Sequence, residues 1–211
     1  MRVLVDSGVL RDSKEADLDR HLDMLSRCSE RARANGAPLS VTMILRAADS
    51  APALVFMRMT DALRRAGART KAILARLEPE EELRRLFASL SELSPSEPAS
   101  SLIRWARNPR LLDAHEQATY GEDMCWSGDA MRRDCDRRNV LALFNEGVHD
   151  RVRLGRLAFE ALWAISSPLP ERHLNGRGTA KPAGAFQPAQ EPPVAVSPLR
   201  PSLQVWPLIR H

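Results

Sequence analysis

Residues 41–77 read VTMILRAADSAPALVFMRMTDALRRAGARTKAILARL. Val41 to Leu45 is a short, nearly continuous apolar run, the pattern of a strand covered on both faces. Asp49 and Ser50 follow as helix-capping residue types, and Pro52 falls in the first turn, where its missing N–H costs nothing. Ala53 to Met59 is apolar almost all round, and charge returns at Asp61, Arg64 and Arg65. Gly67 stands where a helix needs a left-handed residue. From Thr70 the chain alternates: Ile73, Ala75 and Leu77 share one face, and Thr70, Ala72 and Leu74 share the other. The stretch is therefore a strand–helix–strand unit, for which parallel strands with a right-handed crossover are the default.

Working outward, Asp12 and Glu15 form a capping-box pattern ahead of a helix over Ser13–Asn35. Its apolar stripe is Leu18, Leu22, Leu25, Cys28 and Ala32, with His21 beside it on the solvent side. Met1–Val5 reads as a short strand. Beyond Leu77, three glutamates at 80–82 open another helix with a stripe at Leu83, Leu86, Phe87, Leu90 and Leu93; acids in the first turn complement the helix dipole. Residues 94–101 are a loop of breakers, and Leu102–Arg107 is a third core strand. Two short strands, Glu116–Tyr120 and Met124–Trp126, flank a tight turn at Gly121. Helices then cover Ala130–Phe144, with Asp129 as its cap, and Arg151–Ser166, capped by Asp150. The expected fold class is α/β: a mostly parallel sheet of about four to six strands with helices on its faces. One domain over residues 1–166 accounts for it.

From Ser167 the character changes. Nine of the fifteen prolines lie from Pro168 onward, with little apolar periodicity. Such a segment cannot close a core, so 167–211 is expected to be a Pro-rich, largely disordered tail. Near its end Leu203, Val205, Trp206, Leu208 and Ile209 make an apolar island suited to a protein partner.

Composition limits the function. The 211 residues are 44% hydrophobic and 27% charged, with a net charge of +4. Most of that charge falls in the tail, so the folded part lacks the broad basic footprint of a nucleic-acid binder. No apolar run has the length of a membrane span, and residues 1–15 do not form a secretory signal, so a cytoplasmic protein is expected. Arginine outnumbers lysine 28 to 3, which suggests a GC-rich bacterial genome. The three cysteines, Cys28, Cys125 and Cys135, include no CxxC pair, which argues against disulfides and zinc. No glycine lies between Ala37 and Arg65, so the loop after the first strand is not a phosphate cradle. No metal or cofactor is expected.

Ligands of open α/β sheets sit beyond the carboxyl ends of the strands, which makes Asp49 and Ser50 candidates for ligand contact. The densest chemistry lies further on, where Asp113, His115, Glu116, Asp123 and Asp129 stand near Arg132 and Arg133. An acid beside an imidazole orients its tautomer, and paired arginines hold an oxyanion. His115, the following hairpin and Trp126-Ser127-Gly128-Asp129 resemble phospholipase D-like nuclease domains. That resemblance implies a His and a Lys two apart and a Gly-Ser-x-Asn turn, which together hydrolyse a phosphodiester. Here Gln117 stands in place of the lysine and Gly128-Asp129 in place of Gly-Ser; both departures fall on the phosphate-binding positions.

A second surface comprises Arg132, Arg133, Arg137, Arg138, Arg151, Arg153 and Arg156, on two helices that would form a helix-turn-helix able to contact DNA phosphates. Asp134 and Asp136 interleave with it, and helical i, i+4 pairing explains much of the pattern. With no strong catalytic, metal or nucleotide motif, the leading expectation is a regulatory or accessory protein that acts by binding. DNA binding and a phosphodiesterase relic around His115 are the alternatives.

Overall fold

The computed structural model describes residues 14–132 and 142–174. Met1–Val5, Asp12, Arg133, Arg137, Arg138 and the apolar island at 203–209 lie outside those residues. No helix among the described residues is long and apolar enough to cross a membrane.

The chain runs α1 (Lys14–Asn35), β1 (Ser40–Leu45), α2 (Ala51–Arg58), α3 (Thr60–Arg65), β2 (Arg69–Leu74), α4 (Glu80–Leu93), α5 (Ala99–Leu102), β3 (Ile103–Trp105), β4 (His115–Tyr120), β5 (Met124–Ala130), β6 (Leu143–Asn145), α6 (His149–Ile165) and β7 (Ser167–Pro168). It is an α/β fold. β1 and β2 pair in parallel, Val41 opposite Thr70 and Leu45 opposite Leu74, and β3 continues the parallel set. The two strands joined by the central crossover are thus parallel, as the sequence predicts.

The sheet as a whole is different. Among the described residues it has seven strands in the order β6-β5-β4-β1-β2-β3-β7, and it is mixed rather than mostly parallel. β4 lies antiparallel to β1 on the side away from β2. The tight turn at Gly121, whose φ of +63° suits glycine, sends β5 back along β4. Leu143 and Phe144, expected to end a helix, instead extend this meander as β6, together with Asn145. Ser167–Pro168, assigned by composition to the tail, closes the other edge by pairing with β3.

Alternation along β1 explains its continuous apolar run. Val41, Met43 and Leu45 join Met24, Leu25, Phe56, Leu83 and Leu86 in the main core. Ile44 faces the other way, onto Ile73, Phe159 and Trp163 under α6. Between them Thr42 meets Thr119 across the strands, hydroxyl to hydroxyl at 2.7 Å, which satisfies two buried polar groups.

Three local readings are corrected. The crossover helix is interrupted at Met59, between α2 and α3, where the Thr60 hydroxyl donates to the Met57 carbonyl, a side-chain bond that competes with the helical ladder. On α1, Leu22 is 39% exposed and His21 is fully buried, the reverse of the sequence reading. Asp129 caps no helix; it is a buried residue of β5.

Candidate functional site

β1 and β2 end, and β4 begins, at one edge of the sheet, so the segment after Leu45 lies beside His115 and Glu116. Glu116 is the centre of what is built there. Its Oε1 accepts from the Arg46 backbone N–H at 2.9 Å and from the Ser50 hydroxyl at 3.0 Å. Its Oε2 lies 3.1 Å from the Arg46 guanidinium, with both side chains almost wholly buried. The same guanidinium reaches the Ala130 carbonyl at the end of β5. One carboxylate thus ties the β1–α2 loop to β4, and its arginine ties both to β5. Ser50 does begin α2, but its hydroxyl goes to Glu116 and makes no side-chain cap. Asp49, beside it, is exposed.

His115 lies on the same edge. Its Nδ1–H donates to the Gly128 carbonyl at 2.8 Å, which fixes the tautomer of the neutral ring and leaves the Nε2 lone pair on the other side. The ladder shifts register between His115 and Gln117, the irregularity of a β-bulge. Gly128 is required there: a Cβ would sit 2.7 Å from the Trp126 ring. Gln117 packs under α6, where a Cβ on Gly155 would meet its Nε2 at 2.1 Å. Arg132 pairs with Asp113 at 2.7 Å, both exposed.

His115, Glu116, Asp129, Ser50 and Arg132 therefore share one edge of the sheet. A cavity of about 310 Å³ lies at the opposite end of the strands, among Cys28, Arg31, Asp123, His149 and Arg156. Two of its cations are already engaged: Arg31 pairs with Asp123 at 2.7 Å, and Arg156 donates to the Gly121 carbonyl. Next to it, Arg27 grips Glu146 with both terminal nitrogens, which holds that carboxyl below the usual carboxylate range. Burial pushes the thiols of Cys28 and Cys125 up, so neither is an activated nucleophile. No cluster of His, Cys, Asp or Glu among the described residues has the makeup of a metal site.

Of the arginine surface, Arg151 donates to the half-buried Asn145, and Arg153 pairs with Asp150, both exposed. The residues just before α6 form β6, so α6 does not follow a helix across a short turn. Arg46 and His21, both buried, escape a sequence reading. Their partners Glu116 and Tyr120 lie 70 and 99 positions away.

No family model matches the chain, and no curated protein matches it. Among solved structures, the fold overlaps that of TrmBL2, an archaeal chromatin protein described as showing a novel mode of DNA binding, with a TM-score of 0.48 and 14% sequence identity. The match covers 79% of this chain and 57% of that one, so this chain spans little more than half of that structure's length.

Proposed function

We propose that this chain is an accessory or regulatory module that acts by binding and performs no phosphodiester chemistry at its strand-end edge. The observation that carries this reading is the closed set around Glu116. Its carboxylate is engaged by Arg46 and Ser50 inside the protein, in the manner of a structural tie rather than a proton donor held ready for substrate. Two neighbours support it. Gln117 is neutral and turned onto Gly155, and Asp129 is an acid where a phosphate would need a donor. The test is hydrolysis of a bis(p-nitrophenyl) phosphate probe by the wild type and by His115→Ala. Equal rates at background are expected; turnover that depends on His115 would overturn the proposal.

A second reading, contact with nucleic-acid phosphates, is favoured by the exposure of Arg151 and Arg153 in the opening turn of α6. It predicts a retarded duplex whose affinity falls steeply as salt rises. Absence of retardation at low salt would remove it.

A further inference from the structure

Helix α6 is apolar on two sides. Val152, Gly155, Phe159 and Trp163 face the sheet. On the far side Leu154, Leu157 and Ile165 are 61%, 62% and 63% exposed, and Ala158, Ala161 and Ala164 are exposed with them. At 3.6 residues per turn these six fall within an arc of about 120°, a continuous ridge. None of these six side chains is needed by the core or by the strand-end edge.

We infer that this ridge is the contact between two copies of the chain, with the two α6 helices packed antiparallel about a two-fold axis near Leu157. The arrangement of residues selects that occupant. In a two-fold contact, if residue i meets residue j then j meets i. An axis near Leu157 brings Leu154 of each copy within one residue, about 1.5 Å along the helix, of the small Ala161 of the other, and Leu157 against Leu157 and Ala158. Leu154 and Leu157 stand toward the start of the ridge and Ala158, Ala161 and Ala164 follow, with Ile165 beyond them, so around the axis two helices approach closely, bulk over gap. The charges agree with the same register. Arg153 and Glu160 are seven residues apart, two turns of helix, so they flank the ridge on one side. In an antiparallel pair the like flanks of the helices meet, and the same axis brings Arg153 of each copy within one residue of Glu160 of its partner, inside the reach of the two side chains, twice over. Among the described residues of one copy Arg153 holds Asp150, at 3.3 Å and largely in solvent, a weak competitor.

Sedimentation velocity on the full chain, over concentrations reaching the high micromolar, tests this. A reversible dimer is expected. Leu157→Glu, a change at an exposed position, should give a folded monomer by circular dichroism. Arg153→Glu and Glu160→Arg should each weaken dimerisation by about tenfold or more, and the double variant should restore it. A cysteine at Leu157 in a Cys135→Ser background should cross-link two copies on mild oxidation. A chain that stays monomeric throughout, a dimer indifferent to Leu157→Glu, or a charge swap without recovery would each overturn the inference. So would a monomer in which cysteines placed at Leu157 and Val205 cross-link within one chain, since the ridge would then be covered by the chain's own C-terminal island.

Discussion

The Nδ1 atom of His21 stands 2.7 Å from the Tyr120 hydroxyl, joining α1 to the end of β4. Trp126 and Phe144 close around the imidazole edge-on, each with its ring centre 4.9 Å away. The ring is fully buried, and burial, which penalises the charged form, lowers its pKa from the ordinary 6.5 to about 3. Burial likewise holds the Tyr120 phenol protonated far above its usual range.

A pH dependence follows. Between pH 6.5 and 3 the unfolded chain takes up a proton at His21 that the folded chain refuses. Stability from this group is therefore full above pH 6.5 and declines as the solution is acidified toward pH 3, at most by about 1.4 kcal/mol per pH unit. Urea unfolding at pH 7 and pH 4.5 should show the wild type losing about 2 kcal/mol more than His21→Gln over the interval. Surface carboxylates titrate in both proteins and cancel in the comparison. An equal loss in the two would show that His21 does not set the acid sensitivity.

The tie at Glu116 makes a different prediction. Removing one member of a buried ion pair strands the other's charge, at a cost of about 3–5 kcal/mol. Glu116→Ala should reach that range in urea unfolding. Glu116→Gln retains an acceptor for the Ser50 hydroxyl and the Arg46 amide, and should lose about 1–3 kcal/mol. Glu116→Ala at wild-type stability would mean that Arg46 is held by its other contacts and that the carboxylate is dispensable.

The sequence revealed what neighbouring residues decide and missed what distant ones do. The β1–α2–α3–β2 unit was legible because strand, crossover and return lie within 41–77 and each carries its own period. The β4–β5 hairpin was legible because Gly121 marks its turn. The mixed sheet was hidden because nothing near His115 says that β4 will pair with the far side of β1. β6 was hidden because its three residues are too few to show a period. His21 read as solvated because a polar residue beside an apolar stripe gives no sign of a tyrosine 99 positions ahead. The strand-end edge was legible as a location: Ser50, His115, Glu116 and Asp129 do gather there. Its chemistry was not, because Ser50 looks like a cap until Glu116 is seen beside it.

Arg104 of β3 should anchor the far end of α6. Its guanidinium donates to the Trp163 carbonyl at 2.8 Å and lies over the Trp163 ring, 4.8 Å from its centre. A cation at that position satisfies a terminal helix carbonyl and complements the helix dipole. Arg104→Ala should destabilise by about 1–2 kcal/mol, with Arg104→Lys recovering only part of it. Trp163 fluorescence should shift in the native state of the alanine variant; no change in either measurement would show the contact to be incidental.

Gly155 and Gln117 should be energetically coupled. A methyl at Gly155 would sit 2.1 Å from Gln117 Nε2 and 3.0 Å from its Cδ, closer than atoms can stand, so the glutamine must move. Against that stands the helical preference of alanine over glycine, about 1 kcal/mol in a helix interior. In the wild-type background the two effects oppose, and Gly155→Ala should come out destabilising by about 1 kcal/mol, because Thr119 at 3.3 Å also limits the retreat. In a Gln117→Ala background most of the obstruction is gone, and the same substitution should stabilise by about 0.5 kcal/mol. The double-mutant cycle therefore has an expected coupling of about 1–2 kcal/mol. Additive effects would mean that the helix stands further from β4 than this contact requires, or that Gln117 swings away freely. Either result would remove the steric reason for a glycine in the middle of α6.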